Sequence, residues 1–209
     1  MLTRRDVVKG IAAAMAGTLT PTAAEAQGRY VGSVVTRWNE DGRRMTLVNP
    51  FEYIDPSNVR WPVPAGTTVD GASIPRVFWS LIGGPFEGKY RNASVVHDFY
   101  CQVRTRPHVN VHRVFYDAMK TSGLVDRTSW LMYQAVAQFG PRWAAVKVDP
   151  KCEIVDENYD FAACSRNTAK PDVVMPALGE AELDAFLNTV ESEAKPSDIE
   201  KLRAAARSR

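Results

Sequence analysis

Cysteine and histidine are scarce in this chain of 209 residues, with three of each. Three cysteines exclude a small scaffold held together by several disulfides. No charge of one sign dominates: 26 basic and 24 acidic residues leave a formal net charge of +2. The two signs are interspersed, so the clustered basic face of a nucleic-acid binder is missing. Glycine and proline, 13 of each, are too few and too irregular for a collagen-like or low-complexity polymer. Long apolar runs are absent too. The longest weakly apolar stretch, 10–19, is about half of the ~18 residues that span a bilayer, so no stable transmembrane anchor is expected. No internal repeat is visible. What remains, 45% hydrophobic and 24% charged residues, is the composition of an ordinary domain with a packed core.

The first 26 residues do not belong to that core. Thr3-Arg4-Arg5-Asp6-Val7-Val8-Lys9 precedes a run of small residues to Leu19, then Pro21 and Ala24-Glu25-Ala26. A basic start, a short apolar centre and an Ala-x-Ala end have the layout of an export signal. The paired arginines resemble the twin-arginine signal. This implies the twin-arginine translocase as a partner during export, cleavage after Ala26 and a periplasmic or secreted product. In such a compartment disulfides persist, and Cys152 and Cys164 flank a short aperiodic segment. A bridge between them would stabilise the loop by roughly 3 kcal/mol, although three cysteines allow three pairings. Cys101, among Val95, Val96, Phe99 and Tyr100, reads as a small buried hydrophobe.

The mature chain reads as α+β: a small antiparallel sheet followed by a three-helix cluster over 29–150, then an irregular segment and C-terminal helices over 151–209. Tyr30 to Trp38 and Met45 to Ile54 alternate apolar with polar residues and read as strands joined by an Asp41-Gly42 turn. Val59 to Val63, cut by Pro62, reads as an edge strand. Helical spacing takes over from Arg91 to Val103. A second helix is capped by Asn110 and stopped by Gly123, and a third begins at Asp126 or Thr128 with Trp130, Tyr133, Val136 or Ala137, and Phe139 inward. Gly179 to Glu193 forms an amphipathic docking helix with Leu183, Phe186, Leu187 and Val190 on one face, and Ser197 with Glu200 fits a capping box for the last segment.

The residues able to carry chemistry fall between these elements. They run Asp70-Gly71-Ala72-Ser73-Ile74-Pro75-Arg76, Trp79, Gly83-Gly84-Pro85, then Ala93-Ser94-Val95-Val96-His97-Asp98-Phe99-Tyr100, His112 on the second helix, and Gly140-Pro141-Arg142-Trp143. As a set these motifs resemble the bacterial and phage domain-of-unknown-function family 1353, with its DGAS-x-P-R, A-x-x-x-H-D and G-x-x-W order. The resemblance covers roughly 45–143 and implies a fold neighbourhood without a reaction. His112 stands where that family more often has aspartate.

A weaker resemblance runs to secreted bacterial and fungal phospholipases A2, which carry an Asp-Gly-Cys-Ser turn and a His-Asp-Phe-x-Tyr helix. It implies His97 as general base, Asp98 as a calcium ligand with Asp70 as a second, and His112 in place of the aspartate that orients the base. Ser73, Arg76, Trp79 and Tyr100 would then line the substrate site. Ser73 is not read as a nucleophile, since no G-x-S-x-G elbow surrounds it.

Apart from any family, neighbours on a helix point about 100° apart, so His97 and Asp98 face different partners. One faces the second helix, where a contact with His112 is reasonable, and the other faces the preceding loop. Calcium is the first expectation for a cofactor, and zinc is the alternative, since two histidines and a carboxylate could hold a transition metal instead. His108, after Pro107, falls in a loop and is expected to be exposed. Two functional readings follow. One is a hydrolase acting on an envelope ester or lipid through His97, Asp98, Asp70 and His112. The other is a non-catalytic envelope or phage-derived assembly module, in which Asp98 accepts backbone N–H groups and Arg76 pairs with Asp70 or Asp98. N-terminal sequencing of the exported product is expected to begin at Gln27, and replacing Arg4 and Arg5 by lysine to leave the precursor uncleaved.

Overall fold

The computed structural model describes residues 27–71, 86, 88–144, 171–177, 179–190 and 195–207. The export segment, Ser73, Arg76, Trp79, Cys152 and Cys164 lie outside the described residues.

The β region forms two three-stranded antiparallel sheets where one was expected. Their strands are β1 (Arg29–Val31), β2 (Thr36–Trp38), β3 (Met45–Leu47), β4 (Phe51–Ile54), β5 (Arg60–Val63) and β6 (Thr68–Val69), ordered β1-β4-β5 and β2-β3-β6. Each long alternating run of the sequence is broken in two. The second breaks at Asn49-Pro50, where proline has no N–H to give a ladder. The β2–β3 hairpin turns at Asp41-Gly42 as expected, with Asp41 Oδ1 accepting from the N–H groups of Arg43 and Arg44 at 3.0 and 2.9 Å. These donors hold the Asp41 carboxyl down at about 2. β5 is an edge strand that pairs with β4, and Pro62 opposes Glu52. β6, two residues long, is too short to show as a period.

Three helices follow a single 3₁₀ turn at Gly88–Tyr90: α1 (Arg91–Val103), α2 (His108–Thr121) and α3 (Asp126–Phe139). α2 starts two residues before the expected cap. Pro107 precedes it, and the Pro107 carbonyl accepts from Asn110 N and Val111 N, so Asn110 lies within the first turn. Gly123, at φ 74°, follows the end of α2. On α3 the buried face is Leu131, Met132, Ala135, Val136 and Phe139. Trp130 and Tyr133, expected inward, are half-buried at its rim, where Tyr133 packs on Tyr116 at 5.6 Å between ring centroids. The C-terminal helices are α4 (Glu180–Val190) and α5 (Pro196–Arg207). All four expected apolar residues of α4 are buried, and Phe186 meets Phe139 edge-on at 5.4 Å. Pro196, with its missing N–H, is the first residue of α5, which puts Ser197 inside the helix and not at its cap.

The core lies between the inner face of β1-β4-β5 and the helices. Tyr30, Tyr53 and Trp61 stand in one cross-strand row on that face, and all are buried or partly buried. Two hydroxyls in this apolar layer need partners. Tyr30 donates to the Ala118 carbonyl at 2.7 Å and so accepts from Ser122, also at 2.7 Å. Thr121 donates to the Asp117 carbonyl, so Tyr53 donates to Thr121 at 2.9 Å. Both bonds tie the sheet to the end of α2, and burial pushes the Tyr53 phenol up to about 12. Gly28 lies so close to the Tyr53 phenol that a Cβ there would collide with the ring Cζ and Oη and stand 2.8 Å from the Ile54 carbonyl. Gly28→Ala is therefore expected to destabilise the protein by about 1–3 kcal/mol in urea unfolding, as overpacking does.

Candidate functional site

α1 carries the site on two faces. Positions four apart share a helix face. His97 and Cys101 form one such pair, with His97 directed at α2; Asp98 and Gln102 form the other, directed at β6 and the turn after it.

On the second face, Asp98 Oδ2 accepts from Gly71 N at 2.7 Å and from Asp70 N at 3.2 Å. One turn on, Gln102 Nε2 donates to the Thr68 carbonyl at 2.9 Å. Bonds from N–H groups to a buried carboxylate are charge-assisted, stronger than neutral ones. Gly71 makes its bond at φ 95°, a backbone conformation that a side chain would strain. The Asp70 side chain, 47% exposed, lies 3.8 Å from Arg43, so only its backbone reaches Asp98.

On the first face, His97 Nε2 and His112 Nδ1 are 2.9 Å apart, and His112 Nε2 is 3.1 Å from the Pro141 carbonyl. A carbonyl only accepts, so His112 Nε2 carries a proton and donates it. In neutral His112, Nδ1 is then the acceptor, and His97 Nε2 is its donor. Protons thus point one way, from His97 through His112 to Pro141, leaving His97 Nδ1 with a lone pair. Cys101 Sγ is nearly equidistant from His97 Nδ1 and Nε2, at 3.8 and 3.7 Å. It therefore packs against the ring and does not lie along the axis of either nitrogen. Phe115 covers the ring at 4.7 Å.

His97 is 0% exposed, Asp98 1% and His112 2%. Burial, followed by the neighbouring His112, holds the His97 pKa well below its usual value. Burial also lowers His112, to about 4, against the Pro141 bond that would raise it. Both imidazoles are neutral at pH 7.

The segment that ends this proton chain is itself clamped. Trp143 Nε1 donates to the Arg106 carbonyl at 2.8 Å, the Trp143 carbonyl lies 2.8 Å from His108 Nδ1, and Arg142 Nη2 donates to the last carbonyls of α3. Arg142 also forms an isolated antiparallel bridge with Val174. His108 is thus the first residue of α2 and half-buried, where a loop and an exposed side chain were expected. The residue that sequence reasoning left without a role is Pro141. Its signal was the Gly140-Pro141 stop after α3, which fixes where that carbonyl points.

Tyr100, expected to line a substrate site, is buried. Its hydroxyl donates to the Pro62 carbonyl at 3.2 Å, its ring meets Trp61 edge-on, and Arg106 stacks on Trp61 at 4.0 Å. Neither of two surface clefts, of about 470 and 350 Å³, is lined by His97, Asp98 or His112. The described residues do not fit a metal. Two nitrogens on one tetrahedral zinc stand roughly 3.3 Å apart, given Zn–N bonds of about 2.0–2.1 Å, whereas the histidine pair is at hydrogen-bond distance. Calcium takes about 6–8 oxygens, whereas Asp98 Oδ2 receives two N–H donors, and no three acidic, histidine or cysteine side chains among the described residues converge as ligands.

Residues 45–136 match the model of DUF1353, a family of proteins of unknown function. The matched segment holds Asp70, His97, Asp98 and His112, and stops short of Pro141. Over 97 residues the chain is 50% identical to the uncharacterised protein y4jT of Sinorhizobium fredii, covering 46% of this chain and 29% of that protein. Over 112 residues it is 40% identical to the uncharacterised protein y4iH of the same organism, covering 54% of this chain and 47% of that one. The chain thus spans less than half the length of either relative. No solved structure matches it.

The neutral pair makes stability depend on pH. The unfolded histidines take up protons near pH 6.5, and the folded ones resist until about 4 at His112 and lower than usual at His97. Wherever the unfolded state binds more protons, stability rises with pH. Between pH 7 and 5 the unfolding free energy is therefore expected to fall on acidification, by at most about 1.4 kcal/mol per pH unit for each histidine. His112→Gln should remove about half of that slope in denaturant titrations across this range.

Proposed function

We propose that the chain is an exported, non-catalytic binding or assembly domain in which the His-Asp motif locks the fold. The observation that carries this reading is the closure of His97, with 0% exposure and both ring nitrogens facing protein. A general base must reach the proton that it removes, directly or through one water. It must also be stabilised once charged, and the partners of His97 and His112 among the described residues, the other imidazole, the Cys101 thiol and the Pro141 carbonyl, carry no negative charge to do so. The anchoring of Asp98 on backbone N–H groups supports the same reading, because it employs the carboxylate as a fastening between α1 and the β6 turn. The export reading rests on residues 1–26 alone; among the described residues no helix is long and apolar enough to cross a membrane.

One observation favours the hydrolase instead. The second helix holds His97 by Nε2 and leaves Nδ1 with its lone pair, as a water-activating base requires. That reading needs the Phe115 and Cys101 side to open to solvent.

A panel of nitrophenyl esters and phosphatidylcholine vesicles, with and without calcium, separates the two. The purified protein is expected to turn over none of them. His97→Ala is expected to lower stability by about 2–4 kcal/mol, through a cavity and an unpaired nitrogen on His112. Turnover by the wild type that disappears in a folded His97→Gln variant would establish the hydrolase and overturn the module.

A further inference from the structure

The outer face of the β1-β4-β5 sheet bears a concave cleft of about 470 Å³, within the size range of small-molecule sites. Strand alternation explains its position. Tyr30, Tyr53 and Trp61 stand on the core side, so the next row in register, Val31, Glu52 and Pro62, stands on the other. Pro50 and Pro64 extend the wall.

The chemistry of this lining is narrow. Pro50, Pro62 and Pro64 have no N–H, so the cleft offers few donors to an anion, and an added strand finds a gap in the ladder at β5. Among the described residues no aromatic face is turned into it: Phe51 is 2% exposed and its ring stacks on Tyr30. That withholds the stacking platform on which a flat aromatic or base would rest. Its two charges neutralise each other, with Arg60 Nε donating to Glu52 Oε1 at 2.6 Å and Nη2 to Oε2 at 2.8 Å. Val31, in contrast, leaves 46% of its surface to solvent.

We infer that this cleft binds an uncharged aliphatic chain, such as the tail of a long-chain alcohol or a neutral acyl ester. The inference deepens the binding-domain reading above and rests on it. It uses none of the residues of the histidine pair. Val31 and the proline rings give dispersion and hydrophobic contacts to methylene groups. A charged head would gain nothing from a lining of zero net charge.

The test uses the purified protein and the uncharged fluorophore N-phenyl-1-naphthylamine. Its fluorescence should rise on binding and be reversed by 1-dodecanol, with dodecanoate and dodecylammonium at least about tenfold weaker as competitors. Val31→Glu, at an exposed position, and independently Pro62→Glu should each weaken the probe by about tenfold or more. Val174→Glu, on an exposed residue outside the cleft, should leave binding unchanged. No fluorescence rise with wild type, equal competition by the charged congeners, or retained affinity in both cleft variants overturns the inference. Each of these leaves the esterase panel and the His97 variants untouched, so failure here is distinguishable from failure of the non-catalytic reading.

Discussion

Two neutral imidazoles share a hydrogen bond in a space closed to water, and its direction is set by a carbonyl that only accepts. Because Pro141 takes the proton of His112 Nε2, His112 must accept from His97. Much of the helical cluster follows from that order. The bond fixes α1 against α2, it requires the 140–143 segment to return across the start of α2, and it makes His108, Trp143 and Arg142 necessary as clamps on that return. A buried donor or acceptor without a partner costs about 1–3 kcal/mol, so no member of the chain can drop out quietly.

The second fastening is electrostatic where the first is neutral. The Asp98 carboxyl accepts from backbone N–H groups, and it holds the turn after β6 against the opposite side of α1. A single helix thereby joins both layers of the domain through adjacent residues. Acid acts against the histidine pair by charging it.

The parts of this arrangement that depend on local period were legible in the sequence. The bounds of α1, the divergence of His97 from Asp98 and the contact of His97 with His112 all follow from 3.6 residues per turn and one apolar face. The parts that depend on backbone direction were not. Alternation over Tyr30 to Trp38 continues through a break that separates two sheets, because side-chain pattern records which face is apolar and not which strand is the neighbour. Asn110 has the chemistry of a cap, but Pro107 fixes the backbone first. The inward face of α3 is turned because Tyr133 and Trp130 are amphipathic and settle at the rim, leaving the centre to Leu131, Met132 and Ala135. Pro141 carries no side-chain chemistry at all, and its part is played by a main-chain oxygen.

Histidine at 112, where the family resemblance leads one to expect aspartate, changes what this geometry is good for. A carboxylate there would accept from His97 Nε2 and stabilise an imidazolium, which is what a working base needs. It would have no proton for Pro141, and the two acceptors would repel. Histidine reverses both properties: it accepts on one nitrogen and donates on the other, so it bridges α1 to the chain after α3, and it supplies no negative charge. Histidine at this position therefore lacks the capacity of a carboxylate to hold a charged His97 and makes one more tertiary connection instead. Closure of the ring by Phe115 follows the same logic, since a neutral imidazole tolerates an apolar cover that a cation would not.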